Sequence, residues 1–532
     1  MLFRSVIEKI MQGELSTVRE WLQALPEDVV HNNPILCVSQ AWICYFSHQY
    51  DAIEPLLQLA EQKSKESLSV GSISLSDLLG GTMALRAFIA NQKGQINQAI
   101  GFLRQSLAHL PTENVFARGM STFFLANTLF YSGNTPEASQ LYPEAITLCL
   151  AAGNILAATG AIQSLAMSQM MQGRLHQALG TLSNALTQFD TPDKSPLLAM
   201  SFLYLGLAEV HYQQNDLVEA HQHVQKGLEL LNRSGTLAIG LGYLTLAQVQ
   251  HALGDSERAK RTVQEAEEYY RKMKPRSRDA VYAATHHARC LLLFGELASV
   301  ARWAQESHIH AAKVLTYHSE LQLIIFAHLL IAQHAAEPTR FPAHIPNALT
   351  LLKKLYHYAL KHGRMGRVIE ILVLQALAYA AQTNTTQAVN ALEQALTLAE
   401  PEGVVRVFVD KGQPMAVLLY ETAARGINPR YIGQLLAAFP DMDPISPSQP
   451  TSNHQNASRK LIEPLSEREL DVLHLIADGL TNREIANKLI LSLNTVKGHT
   501  RRIYGKLGVN SRTQAIGKAR AFGLLTECAR IS

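Results

Sequence analysis

Small and apolar positions recur along this chain in a frame of about 40 residues. Turn residues stand at Gly94, Gly133, Gly173, Asn215 and Gly254, and five residues after each comes an alanine: Ala99, Ala138, Ala178, Ala220 and Ala259. Seven further on is another small residue, at Ser106, Ala145, Ala185, Gly227 and Ala266. Twelve before the first alanine stands Ala87, Ala126, Ala166, Ala208 or Ala247. Taken through to Gly295, the turn-to-turn spacings are 39, 40, 42, 39 and 41 residues. Looser units carry Ala288 with Gly295, and Ala376 with Ala388 and Ala395. Between 295 and 383 the spacing roughly doubles, which predicts one longer or irregular unit.

The frame predicts a row of helical hairpins. Gly or Asn ends the first helix of each in the left-handed conformation at low steric cost. Small residues on both helices let the backbones approach, and only a stack of such hairpins buries its apolar faces. The pattern resembles tetratricopeptide repeats, whose usual period is about 34 residues. A stack of this kind offers a groove to a ligand or a protein. Tyr204, Tyr212, Tyr243 and Tyr282 are candidates to line it, although packing between helices is the commoner role of such aromatics.

The pattern changes towards the C-terminus. Pro440, Pro444, Pro447 and Pro450 stand among Ser, Asn and Gln, a composition that builds no core and predicts a linker over 440–458. Helix punctuation follows. Ser466 with Glu469, Thr481 with Glu484, and Ser511 with Gln514 are capping boxes, Ser492 is a further N-cap, and Gly479 and Gly508 close helices. Leu470, Leu473 and Ile476 mark the inner face of the first helix, and Ile485 and Leu489 that of the second. Four short helices are predicted, the second and third in helix-turn-helix arrangement. The predicted fold class is therefore all-α: a tetratricopeptide-like solenoid over 1–439, the linker, and a four-helix helix-turn-helix domain over 459–532.

At 100° per residue, Val496, Thr500, Ile503 and Leu507 of the third helix cluster on one stripe and should face inward. Asn494, Lys497, Gly498, Arg501 and Gly505 fall opposite. Two basic chains, an amide and two glycines suit a helix pressed into the major groove, where Lys497 and Arg501 can donate to guanine O6 and N7 and glycine permits close approach. Thr495, His499, Arg502 and Lys506 flank that face as candidate phosphate contacts. Thr481, Asn482 and Arg483, at the start of the second helix, offer backbone N–H groups to another phosphate.

Charge agrees with that reading. The 532 residues carry a net +3, but 459–532 hold 13 Lys and Arg against 7 Asp and Glu, so the tail is +6 and the rest −3. This is the asymmetry expected when one end meets nucleic acid.

Ile462 to Leu525 resembles the LuxR-type (NarL/FixJ) DNA-binding domain. The opening Leu465-Ser466-Glu467-Arg468-Glu469, the run Asn482-Arg483-Glu484-Ile485-Ala486, Thr495-Val496-Lys497-Gly498-His499 and Lys506-Leu507-Gly508-Val509 stand in the family's order. The resemblance implies base reading by Lys497 and Arg501, and dimerisation on double-stranded promoter DNA through the last helix, about Arg512 to Leu525. RNA polymerase is a further partner it implies. Gly498 departs from the valine or larger residue common there, which implies loss of an apolar contact to a thymine methyl and an altered target sequence. Joined to the 40-residue repeats, this domain resembles the MalT-like large regulators, in which an ATPase module precedes the solenoid. The chain is expected to start after that module, since no G-x-x-x-x-G-K-[ST] sequence occurs and no nucleotide site is predicted.

Two functions remain after this reading. One is a transcriptional regulator whose solenoid receives a ligand or protein signal. The other is an interaction scaffold carrying a dispensable DNA-binding tail. No Ser/His/Asp order, metal-ligand spacing or phosphate loop argues for an enzyme, a metal or a cofactor; the densest histidine groups, His221–His223, His286–His287 and His308–His310, lack helical ligand spacing. Glu8 interrupts the start where a signal peptide is apolar, the longest apolar stretch, Leu321 to Ala332, is too short to span a bilayer, and Cys37, Cys44, Cys149, Cys290 and Cys528 are sparse and odd in number. These features predict a cytoplasmic protein with reduced thiols.

Overall fold

The computed structural model describes residues 19–22, 24–46, 49–66, 75–189, 197–231, 238–273, 277–309, 315–439, 467–477, 480–489, 493–507, 509 and 512–521. The chain divides into two units, 1–442 and 443–532. The division falls in the stretch expected as a linker, which lies outside the described residues.

The first unit is built of helical hairpins. They are α1 (Pro34–Phe46) with α2 (Ile53–Glu66), α3 (Leu75–Gln92) with α4 (Ile96–His109), α5 (Val115–Ser132) with α6 (Thr135–Ala151), α7 (Ile155–Met171) with α8 (Leu175–Phe189), and α9 (Leu197–Gln213) with α10 (Leu217–Leu231). Then come α11 (Ala238–Ala252) with α12 (Ser256–Met273), α13 (Ser277–Leu293) with α14 (Leu297–Glu306), α15 (Tyr317–Ala336) with α16 (His344–Lys361), and α17 (Met365–Ala381) with α18 (Thr385–Ala399). Three shorter helices close the unit: α19 (Arg406–Val409), α20 (Gln413–Ala424) and α21 (Pro429–Ala437).

Each position of the repeat frame has its physical reason here. Ala99, Ala138, Ala178, Ala220 and Ala259 are fully buried, as are Ala126, Ala166, Ala208 and Ala247 on the partner helices. At Gly227 the fit is tightest, since a Cβ there would stand 2.9 Å from a Leu205 methyl. The turns are left-handed, with φ of +96° at Gly133 and +65° at Asn215, which is why Gly and Asn recur there. The irregular unit expected between 295 and 383 is a whole extra hairpin, α15–α16, whose helices of 20 and 18 residues are joined through Glu337 to Ala343 without a glycine turn.

The stack curls far enough for its C-terminal helices to meet the turns of much earlier hairpins. Helices α15, α17 and α19 pack on α5, α7 and α9 respectively. Bonds from backbone amides fasten the closure: Val405 N donates to Gln213 O at 2.8 Å, and His176 N donates to the side-chain Glu402 Oε2 at 2.9 Å. Tyr212 OH donates to Asp410 Oδ2 at 2.9 Å, while Arg406 pairs with Asp410, donates to Asn215 Oδ1 at 3.1 Å and lies over the Tyr212 ring. Gly366, in the first turn of α17, sits against the end of α7, so that an added Cβ would stand 2.8 Å from the Met170 carbonyl oxygen.

That approach gives a sign test. Gly366→Ala should destabilise the full chain by about 1–3 kcal/mol in urea unfolding, because overpacking against backbone outweighs the helix-propensity gain. Gly101→Ala in α4, where a Cβ meets nothing within 4 Å, should instead be neutral or stabilising by up to about 1 kcal/mol. Equal effects at the two sites would contradict the close contact.

Of the tyrosines considered for the groove, Tyr212 is buried in the closure, and Tyr204 and Tyr243 are half-buried against the core. Tyr282 is half-buried beside His286, at 4.4 Å between ring centroids. Cys37, Cys44, Cys149 and Cys290 are buried free thiols, and burial pushes Cys149 and Cys290 up to about 12, so they act as small hydrophobes. Cys528 lies outside the described residues. Among those residues, no helix is long and apolar enough to cross a membrane, and no group of three His, Cys, Asp or Glu is placed to hold a metal.

Candidate DNA-binding site

The second unit contains α22 (Glu467–Ala477), α23 (Asn482–Leu489), α24 (Leu493–Leu507) and α25 (Arg512–Ala521). Their apolar faces meet in one core: Val472, Leu473 and Ile476 of α22, Ile485 of α23, Val496 and Ile503 of α24, and Ala515 and Ala519 of α25 are all fully buried. Leu470 stays half-buried at its edge.

Capping sets where α23 begins. Thr481 N donates to Glu484 Oε2 at 2.7 Å and Glu484 N donates to Thr481 Oγ1 at 3.4 Å, the reciprocal box expected from the sequence. The Thr481 amide and then its hydroxyl hold the Glu484 carboxyl below the usual range. Ser466, Ser492, Ser511, Gly479 and Gly508 lie outside the described residues. Arginines terminate two helices: Arg468 Nη2 donates to Leu489 O at 3.0 Å, and Arg512 Nη2 donates to Ile476 O at 2.7 Å and Leu480 O at 2.6 Å. A cation at the carbonyl end opposes the helix dipole favourably. Sequence reasoning missed these roles, since an arginine near a helix end looks like any solvated charge.

With Val496, Thr500 and Ile503 turned inward, α24 must show its other side to solvent. Thr500 Oγ1 is satisfied by the Val496 carbonyl at 2.9 Å, which is how a hydroxyl tolerates the core. Lys497, Arg501 and Arg502 are exposed, as are Thr495 and Gly505, and Gly498 is half-exposed. A side chain at Gly498 or Gly505 would meet nothing within 4 Å, so the domain's own packing does not require glycine at either place. Thr481 and Arg483 are exposed and Asn482 half-exposed at the start of α23. Asn494 lies in the first turn of α24. His499 is half-buried, and burial followed by Arg502 lowers its pKa.

Lys506 also has a partner within the domain. Expected at a phosphate, its ammonium is 2.9 Å from Glu469 Oε2, a carboxylate whose side chain is 3% exposed. The pair ties α24 to α22. Lys506→Met would remove the ion pair of that buried carboxylate, and should lower the stability of this unit by about 1 kcal/mol, or about 4–8 °C for so small a domain. Lys497→Met should leave its melting midpoint unchanged in the same calorimetric scan.

Comparison with known proteins agrees with both halves. Residues 80–425, well over half of the chain, match the family described as MalT-like TPR region. The chain belongs to that family. Residues 463–519 of this MalT-like chain match bacterial regulatory proteins of the luxR family, so α22 to α25 form a LuxR-type helix-turn-helix domain. Relatives named HTH-type transcriptional regulator MalT, from Yersinia enterocolitica serotype O:8 and from Yersinia pestis strain Pestoides F, are each 24% identical over 522 residues. The alignment takes in 95% of this chain and 56% of each relative, so the chain spans little more than half the length of those proteins. Among solved structures, a Rap protein complexed with Competence and Sporulation Factor overlays 75% of this chain and 95% of its own, at 9% identity and a TM-score of 0.40.

Proposed function

We propose that this MalT-like chain is a DNA-binding transcriptional regulator that reads promoter DNA with α24 and receives a ligand or protein signal in its solenoid. The carrying observation is the surface of α24. Lys497, Arg501 and Arg502 are exposed opposite the buried Val496, Thr500 and Ile503, and the glycines at 498 and 505 serve no packing need. A basic helix face with room for close approach suits the major groove.

In this reading Lys497 and Arg501 take base edges, with Asn494 and Gly498 beside them. Arg502, Thr495 and His499 meet phosphates along the helix. At α23 the Thr481 side chain already caps Glu484, so the backbone N–H groups of Asn482 and Arg483 and the Arg483 side chain serve the next phosphate. The linker 440–458 joins this domain to the solenoid, the protein pairs on DNA through α25, and RNA polymerase is its target.

The test is an electrophoretic mobility shift of the full chain on DNA upstream of its own gene. The regulator reading expects a discrete complex that unlabelled copies of the same DNA displace and a scrambled duplex does not. Displacement by both duplexes at equal concentration would reject promoter reading.

A further inference from the structure

The last helix of the second unit is held by contacts of two kinds. Helix α25 packs on α22 and α24. Among its described residues, Ala515 and Ala519 are fully buried in the shared core and Ile516 is partly buried there. Apolar contact is non-directional, and such small side chains make a shallow seat on which a helix can tilt. Direction comes from Arg512, the half-buried first residue of α25. Its Nη2 donates to two carbonyl oxygens at once, Ile476 O at 2.7 Å and Leu480 O at 2.6 Å.

Those carbonyls belong to the elements that carry the DNA-facing start of α23. Ile476 is in the last turn of α22, and Leu480 directly precedes the Thr481–Glu484 cap. Leu480 N in turn donates to Leu475 O at 3.2 Å, which closes the turn between α22 and α23 on itself. Arg512 therefore fixes the start of α25 against the segment that places the N-terminus of α23. A guanidinium suits the task, because its donors lie in a rigid plane and its charge favours carbonyls at a helix end. Terminating a helix needs less: Arg468 closes α23 through one carbonyl, with Nη2 3.0 Å from Leu489 O.

We propose that Arg512 is a positioning residue for paired DNA reading: it sets the angle of α25, and with it the separation of the two recognition helices when two copies pair through that helix. This rests on the regulator reading, in which α24 enters the major groove and α25 pairs. The lever is long. Half-sites one turn of DNA apart lie roughly 34 Å from each other, so a tilt of about 10° at the pairing helix carries the far α24 about 6 Å, close to two base-pair steps of about 3.4 Å. Displacement on that scale forbids simultaneous engagement and removes the gain in affinity from pairing.

The experiment uses the full chain and the segment of DNA upstream of its own gene that it protects from DNase I. Anisotropy titrations compare that duplex with one half of it alone, and with versions carrying one, two or five base pairs inserted between the halves. Wild type should bind the native duplex at least about tenfold more tightly than the half, or than the five-base-pair insertion, which turns the second half-site to the opposite face. Arg512→Met should cut both ratios to about threefold or less, whatever its affinity for the half alone. Arg512→Lys, which keeps the charge and can reach one carbonyl, should recover part of each ratio, and it serves if the methionine variant melts below the assay temperature. Arg468→Met removes an arginine from another helix end and should keep the wild-type ratios, although it too lowers the melting midpoint. Wild-type ratios in Arg512→Met, or an equal loss of them in Arg468→Met, overturns the proposal. Wild type that prefers its own sequence but binds the half as tightly as the whole also overturns it. Wild type that protects no segment, or binds a scrambled duplex equally well, rejects the regulator reading and the proposal with it.

Discussion

Arg364→Met is expected to cost the solenoid about 3–5 kcal/mol of stability, the usual loss when one partner of a buried ion pair is removed. Arg364 is fully buried at the head of α17, its Nη1 donating to Glu320 Oε2 at 2.5 Å, and the Glu320 side chain is 1% exposed. The guanidinium also lies 4.8 Å from the centroid of Tyr358 and 5.7 Å from that of Tyr317. It stands beneath the left-handed turn at Gly133, where an added Cβ would come within 3.2 Å of Nη2. One side chain thus joins α15, α16, α17 and the α5–α6 turn. Methionine fills much of the volume but leaves the Glu320 carboxylate buried and uncompensated. The double substitution Arg364→Met/Glu320→Leu should recover most of the loss, because an apolar pair of similar size carries no desolvation penalty. Urea unfolding of the full chain followed by circular dichroism separates the cases. A single variant within about 1 kcal/mol of wild type would show that the pair does not hold the closure together.

The second large effect is on DNA. Lys497→Ala/Arg501→Ala should weaken binding to the cognate site by about 1–3 kcal/mol for each lost base contact, roughly a hundredfold or more together, while the melting midpoint of the domain stays where it was. Both side chains are exposed, so truncation opens no cavity. The contrast with Lys506→Met is informative: that lysine is tied to Glu469, and its loss should act on folding first. If the double alanine variant binds the cognate duplex as wild type does, α24 is not the recognition helix.

Much of the architecture could be read directly. The alanine and glycine frame is legible because close helix packing excludes larger side chains and left-handed turns exclude most residues, so both constraints act on residue type at fixed spacing. The closure of the solenoid was not legible. It joins residues about 200 positions apart through backbone atoms such as Gln213 O and the Val405 amide, which every residue type supplies. Arg406, Asp410 and Arg364 serve it with side chains that read as ordinary solvated charges. At the DNA-binding face, the inner stripe of α24 follows from apolar periodicity, and so does the opposite basic face. The Lys506–Glu469 pair was not legible, because Lys506 falls only about 60° from Ile503 on the helix, at the boundary between the two faces. A carboxylate on α22 decides which side it takes, and periodicity within α24 carries no information about that neighbour.

The central claim, that the full chain reads sequence through α24, is tested most directly by fluorescence anisotropy across a salt series. Wild type and Lys497→Ala/Arg501→Ala are each titrated into the cognate and a scrambled duplex. The account predicts that wild-type affinity falls steeply with salt for both duplexes, through counterion release, while the preference for the cognate one persists at every concentration and vanishes in the double variant. Equal wild-type affinity for the two duplexes throughout the series, or a preference that survives in the double variant, would contradict it.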